Sequence, residues 1–311
     1  MNKASDAVLL SRLPHGARIA IIRLRSLGDC VLTTPAISLL KAYRQDLRID
    51  VIVEPRFAQV FEDNPDIDRI LPEMTRDPAP PDLVLNLHGG TRSMWMTVAS
   101  GAKYRLGFGH YRYSLVYTHH IPRAQEILGE ERPVHTAEHV ASAMFWLGVP
   151  RTEIPRAKLF VPARNVTNPH VMIHAFGSAP EKIWPMDRFV ALARHLRDVC
   201  YLEPIFVAGP EDDTSALAEF RVLKGEPLSE VKRWMSGAAL FVGNDSGPAH
   251  IAAAFGVPVV VLFGSSNPVT WAPWKTSAQV LVSDGGIADI KLDEVIQTAQ
   301  MIRTTGEKVK A

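Results

Sequence analysis

The chain has 311 residues, 47% of them hydrophobic and 22% charged, with a formal net charge of +1. That length suits two globular domains with separate cores, and the near-neutral balance excludes wholesale nucleic-acid binding. Two distant cysteines, Cys30 and Cys200, form no metal-spaced pair and are expected as free thiols in a reducing cytosol, with no signal-peptide core before Ala17 and no apolar run of membrane-spanning length.

In chain order, residues 18–24 are expected as a first, largely buried strand, followed by a turn at Ser26-Leu27-Gly28 and a helix over 36–43. A strand at 49–53, a helical stretch around 57–61 and a strand at 83–87, ending in His88-Gly89-Gly90, come next. Apolar strands alternating with helices argue for parallel βαβ units. The pattern restarts after the Pro- and Asn-rich stretch 162–169. It gives a strand at 170–175, the turn Phe176-Gly177-Ser178, a helix at 187–199, a strand at 204–209 and a helix at 228–236. Strands at 240–242 and 258–263 and a last helix at 292–303 complete it. The expectation is an α/β protein of two doubly wound domains, 1–165 and 166–311, facing each other across a cleft. The last helix is a candidate to pack back on the first domain. Ligands in such folds sit at the carboxyl ends of the strands.

The most informative strand end is Gly243-Asn244-Asp245-Ser246-Gly247-Pro248-Ala249-His250. An apolar run precedes it, and Pro248 falls in the first turn of the helix that follows. Backbone N–H groups and the positive end of a helix dipole then point at one spot, which suits an anion such as the phosphates of a nucleotide. Asp245 could meet sugar hydroxyls, while Ser246, Gly247 and His250 serve the phosphate. The alternative is a simple turn with a packed histidine.

Three further strand ends carry candidates. Asp29 follows Ser26-Leu27-Gly28 beside Arg23 and Arg25, where a positioned carboxylate could take a proton from an incoming hydroxyl. Ser26 and Asp29 also have capping-box spacing, so Asp29 could simply cap a helix, and Thr34-Pro35 offers a second helix start. Ser178, in Phe176-Gly177-Ser178, offers a hydroxyl in a small turn, and Lys182 a mobile positive charge, against the alternative of a solvated lysine. Glu211, in Gly209-Pro210-Glu211-Asp212, could hydrogen-bond a ribose, although acids also start helices. Trp271 and Trp274 could stack on a base or serve packing alone. No Gly-x-Gly-x-x-Gly follows the first strand, no P-loop occurs, and the histidines lack zinc spacing.

Taken together, these blocks resemble the bacterial heptosyltransferases, the ninth glycosyltransferase family. The segment Ile22-Arg23-Leu24-Arg25-Ser26-Leu27-Gly28-Asp29 through Pro35-Ala36 is similar to the family's N-terminal signature, and Lys182-Ile183-Trp184-Pro185 to its central element. Asn244 to His250, continuing through Phe263-Gly264 to Trp271-Ala272-Pro273, resembles its C-terminal signature. The blocks occur in family order over residues 18–275.

The resemblance implies a GT-B architecture, with the acceptor on the N-terminal domain and the nucleotide-sugar on the C-terminal one. It implies inverting transfer of heptose from ADP-heptose to the inner core of lipopolysaccharide, at the cytoplasmic face and with peripheral contact to the inner leaflet. By motif match Asp29 would be the general base, and Lys182, with Ser178 beside it, would balance the leaving diphosphate. Asp245 would contact the heptose, Ser246, Gly247 and His250 the phosphates, and Glu211 the nucleoside. No cofactor or metal is expected. Arg92, Arg105 and Arg112 are candidates to meet an anionic glycolipid acceptor, or are ordinary surface arginines. Two alternatives stand beside this: a nucleotide-sugar epimerase of similar fold, and a non-catalytic nucleotide-sugar-binding protein.

Overall fold

A computed structural model describes residues 9–73, 79–162 and 168–310, with side chains of the last helix as far as Arg303. The chain divides into two compact units, Met1–Pro155 and Arg156–Ala311. The stretch around residue 165, expected as the junction, lies outside the described residues. The second unit already includes Arg156, whose guanidinium lies so close to Gly256 that a Cβ there would collide with it. Gly256 is also left-handed, at φ +72°, so no other residue suits that helix end.

In the first unit the elements run β1 (Arg18–Ile22), α1 (Leu27–Val31), α2 (Thr34–Tyr43), β2 (Arg48–Ile52), β3 (Arg69–Leu71), β4 (Leu83–Asn86), α3 (Thr91–Ala99), β5 (Tyr104–Phe108), β6 (His119–Ile121), α4 (Ala124–Leu128) and α5 (Thr136–Leu147). The strands form one parallel sheet in the order β3-β2-β1-β4-β5-β6, with Ile21 paired to Val51 on one side and Leu85 on the other. Central strands of a covered parallel sheet are apolar on both faces, and Ile19, Ile21, Ile22, Val84 and Leu85 are all fully buried.

The second unit runs β7 (His170–His174), α6 (Met186–Asp198), β8 (Glu203–Ala208), β9 (Arg221–Lys224), α7 (Leu228–Ser236), β10 (Leu240–Asn244), α8 (Gly247–Phe255), β11 (Val259–Leu262), α9 (Pro268–Trp271), β12 (Ala278–Leu281) and α10 (Leu292–Lys310). Its sheet order, β12-β11-β10-β7-β8-β9, repeats the topology of the first. Both units therefore have the Rossmann-like reversal of strand order between their first and fourth strands, where doubly wound folds bind ligands.

Val295, Ala299 and Ile302 of α10 are buried in the core of the second unit, with Leu196, Leu240 and Val260. The expected helix at residues 57–61 is instead a 3-10 turn, Pro55–Val60. No helix among the described residues is long and apolar enough to cross a membrane.

Candidate functional site

At the reversal point of the first unit, Arg23 directly follows β1, and His88 lies just beyond the end of β4. Helices start at both places the sequence offered, so Asp29 caps a helix and does not lie in a loop. A short helix, α1, starts at Ser26, and α2 restarts at Thr34 with Pro35 in its first turn. Asp29 caps α1: its Oδ2 accepts from the Ser26 backbone N–H (3.3 Å) and hydroxyl (3.1 Å). Its Oδ1 accepts from Arg23 Nη1 at 3.2 Å. A carboxylate offers about four lone-pair sites. Three donors leave one open, and the side chain is 22% exposed, so one acceptor position still faces outward.

Arg23 is buried and held by Thr33 Oγ1, which accepts from its Nε at 3.2 Å. The base candidate is therefore built into the fold by its cation and its helix, while keeping a free edge. The Cys30 thiol is pushed up to about 12 by burial, which removes it as a nucleophile.

Sequence reasoning passed over the residues that surround Asp29. Asn86, fully buried at the end of β4, accepts through Oδ1 from the His88 and Gly89 N–H groups, each at 3.0 Å, and donates to Thr97 Oγ1. Burial lowers the His88 pKa, helped by the Arg23 and Arg25 guanidinium charges. His139 is stacked on Phe108 at 4.1 Å and pushed down to about 4 by burial, with the His110 and Arg23 charges adding. Gly89 is left-handed (φ +76°), and a Cβ there would sit 2.8 Å from the Tyr111 ring. The signal for this shell was its position: His88 and Gly89 directly follow a central strand.

Of the three arginines proposed for an acceptor, Arg92 lies 3.7 Å from Glu54 Oε1, in the first turn of α3. Arg112 is exposed and stacks on Tyr113 at 5.5 Å. Arg105 is different. Its guanidinium donates to the Val116 carbonyl (3.0 Å) and the Ala102 carbonyl (3.3 Å), so it braces a loop.

At the reversal point of the second unit, Asn244 is again a fully buried strand-end asparagine. Its Nδ2 donates to the Phe176 carbonyl (3.2 Å), and its Oδ1 accepts from Trp184 N–H (3.1 Å). One side chain thus ties the 176–178 turn and the Lys182 segment to the end of β10. Trp184 is fully buried; its indole donates to the Ile290 carbonyl at 2.8 Å and meets Phe189 edge-on. Gly264 completes the support, because a Cβ there would strike the Glu181 carbonyl. Lys182 is held between these anchors at the end of a 3-10 turn, Pro180–Lys182.

Burial raises the Asp245 pKa, while the Ser266 hydroxyl and the Lys182 charge act against the rise. Asp245 and Lys182 therefore share one field, although among the described residues no carboxylate pairs with Lys182 directly. Ser178 is exposed in its turn, and His250 is buried in α8 with its ring edge-on to Trp271 at 6.5 Å.

Ser246 is the N-cap of α8, yet its hydroxyl does not cap the helix. It is 3.0 Å from the Asn244 carbonyl and 3.0 Å from His174 Nδ1. A carbonyl only accepts, so the Ser246 hydroxyl donates to it, and the His174 Nδ1–H donates to Ser246. His174 is pushed down to about 4 by burial, against the pull of the Asp212 charge, and is neutral near pH 7. The serine offers an anion its backbone rather than its hydroxyl. In the first turn of α8, Pro248 has no N–H and Ala249 donates to the Ser246 carbonyl (3.1 Å), which leaves the Gly247 N–H, without a side-chain cap, as the donor open to an anion.

Beyond β8 no α-helix follows, contrary to a helix-capping role for the acids there. Asp212 Oδ2 instead accepts from Gly209 N–H at 2.7 Å and closes the turn, leaving Glu211 exposed. The geometry brings Ser178, Lys182, Asp245, Ser246, Gly247 and His250 to adjacent strand ends of one sheet. Asp29 and Arg92 stand at the carboxyl end of the other. Among the described residues no cluster of three His, Cys, Asp or Glu side chains could hold a metal.

Comparisons with known proteins agree with this layout. The chain is 24% identical to lipopolysaccharide heptosyltransferase 3 of Escherichia coli over 286 residues, covering 79% of this chain and 82% of that one. It is 31% identical over 182 residues to an inactive autotransporter heptosyltransferase of Burkholderia thailandensis, covering 54% of this chain and 39% of that one. The solved structure of the E. coli ADP-heptose lps heptosyltransferase II superposes with a TM-score of 0.79 at 20% identity, over 93% of this chain and 99% of that one. The family model for glycosyltransferase family 9 (heptosyltransferase) matches residues 80–295, and the chain belongs to that family.

Proposed function

We propose that the protein is an inverting heptosyltransferase that moves a heptose from an ADP-sugar to the inner core of lipopolysaccharide or a similar anionic glycan, at the cytoplasmic face of the membrane. The observation that carries this reading is the second unit's strand-end assembly. There Asn244, at the end of β10, ties down the chain segment that carries Lys182, beside the uncapped start of α8. Such an arrangement suits a diphosphate that gains charge as it leaves, since preorganised dipoles and cations stabilise developing negative charge. The relatives' names supply the sugar and the nucleotide.

In a single displacement the acceptor hydroxyl attacks the anomeric carbon as the bond to the ADP oxygen breaks. The open acceptor edge of Asp29 takes the hydroxyl proton, and Arg23 and Ser26 hold the carboxylate in place as it does so. Lys182 and the Gly247 N–H at the positive end of the α8 dipole take up the charge of the departing diphosphate, with Ser178 beside them. Asp245 receives heptose hydroxyls, Glu211 faces the nucleoside, and Arg92 and Arg112 meet anionic groups of the acceptor. With this cationic assembly at the leaving group, transfer is expected to need no metal or cofactor.

The test is a transfer assay read by mass spectrometry. ADP-heptose, UDP-glucose and GDP-mannose are each offered with a deacylated inner-core acceptor, with and without EDTA. The expected result is a heptose-sized increment from ADP-heptose alone, with inverted anomeric configuration and no loss in EDTA. Turnover of the donor without an acceptor, or ADP binding with no transfer to any acceptor, would contradict it. The second outcome would place the chain beside its relative named inactive.

A further inference from the structure

We propose that the outer face of α3, together with the neighbouring 3-10 turn Ser114–Val116, docks the first unit on an anionic lipid surface. This rests on the glycolipid reading above and assigns a surface to it.

A helix covering a sheet ordinarily turns polar residues outward. On α3 the outward residues are Thr91, Arg92, Trp95, Val98 and Ala99, so its solvent face is mostly apolar. Trp95 is 64% exposed and Val98 46%, and on the adjoining turn Leu115 is 97% exposed. Large apolar side chains grouped on neighbouring elements mark an interaction surface.

The turn is held rather than loose. Arg105 fastens the Val116 carbonyl, the Ser114 carbonyl meets His120 Nε2 at 2.9 Å, and the Thr91 hydroxyl donates to Tyr113 Oη at 2.9 Å. Leu115 is therefore presented outward by its supports. A hollow of about 460 Å³ runs beside α3, lined by Thr91, Arg92, Trp95, Met96 and Ala99, with Glu73 in its wall.

Charge selects the occupant. Arg92 begins the apolar face, and Arg112, stacked on Tyr113, stands before the turn. The outward face of α3 carries no acid. An indole, aliphatic side chains and flanking guanidinium groups suit the boundary between anionic headgroups and acyl chains. Arg92 also reaches Glu54, on the side of the unit that carries Asp29. A face seated on lipid would thus keep the base near glycans that stand on that lipid.

The test uses the full chain in vesicle flotation. One set of vesicles is pure phosphatidylcholine, and in the other about a third of the lipid is phosphatidylglycerol. Wild type is expected to float with the anionic vesicles, and Trp95→Ser and Leu115→Asp are each expected to weaken that binding about tenfold. Both variants should keep transfer to the soluble deacylated acceptor within about twofold of wild type, as surface changes do. No flotation of wild type, or equal flotation of both variants, would overturn the proposal. So would sedimentation velocity showing a wild-type dimer that Leu115→Asp dissolves, because the face would then be covered by a second copy. Vesicle binding with no transfer to any acceptor would instead count against the heptosyltransferase reading and leave the docking face standing.

Discussion

The two units share one strand order and one device, a fully buried asparagine ending the fourth strand, yet they use it differently. Asn86 fastens its own turn, through His88 and Gly89, and the helix behind it. Asn244 reaches across to the neighbouring turn and to the Lys182 segment. In the first unit the candidate base instead follows β1, a carboxylate gripped by Arg23 and Ser26. The second gathers three separate chain segments around the bare start of a helix. Under the proposed function, identical topology would thus serve a proton acceptor in one unit and an anion cradle in the other. The difference lies in a handful of side chains at the strand ends.

The largest expected effect separates those roles. Asp29→Asn keeps the size and the cap but loses the base, so transfer should fall about 10²- to 10⁴-fold in single-turnover assays. Unchanged turnover would remove Asp29 from the mechanism. Next, Lys182→Ala should slow transfer about 10²-fold, with Lys182→Arg retaining part of the rate, because a preorganised cation is lost at the leaving group. Asn244→Ala and Asn86→Ala should each lower stability by about 1–3 kcal/mol in urea denaturation, since each strands buried partners. Only Asn244→Ala should also weaken ADP binding. Equal losses of ADP affinity in both would erase the distinction between local and cross-strand bracing.

A fourth expectation concerns pH. His139 in the first unit and His174 in the second are both held down to about 4, from an ordinary 6.5, by burial. Between those values the unfolded chain binds protons that the native chain refuses, so stability is complete above pH 6.5 and falls as the pH drops toward 4. The slope is up to about 1.4 kcal/mol per pH unit for each histidine. His174→Gln should flatten this dependence by its own share, and denaturation midpoints constant across the window would refute the assignment. The smallest effect is at Glu211, exposed and bonded to nothing in its turn. Glu211→Ala should change ADP affinity by less than about threefold, in keeping with an exposed contact.

Much of this was legible in the sequence. The long apolar strands and the punctuation at Gly28, Gly177 and Gly243 marked the carboxyl strand ends at which the candidate residues fall, while the strand order that makes two of them reversal points comes from the fold. Edge strands were less visible: β3 and β6 are three residues long, and β6 is largely polar. Helix α5 lacks a clear polar stripe because it is buried on most sides, although His135 and Glu138 cap its start and the left-handed Gly148 ends it. The missing site residues were those whose role is tertiary. Nothing local distinguishes Asn244 as a bridge to Trp184, or shows that His174 turns the Ser246 hydroxyl inward. Arg105 had the charge expected of a ligand contact, and only the folded loop shows it occupied with carbonyls.

The division of labour between the two strand ends is tested most directly by titrating ADP, by calorimetry, into wild type, Asp29→Asn and Lys182→Ala. The account predicts that Asp29→Asn binds ADP as wild type does, while Lys182→Ala binds it about tenfold more weakly. Full ADP affinity in Lys182→Ala, or an equal loss in Asp29→Asn, would contradict it.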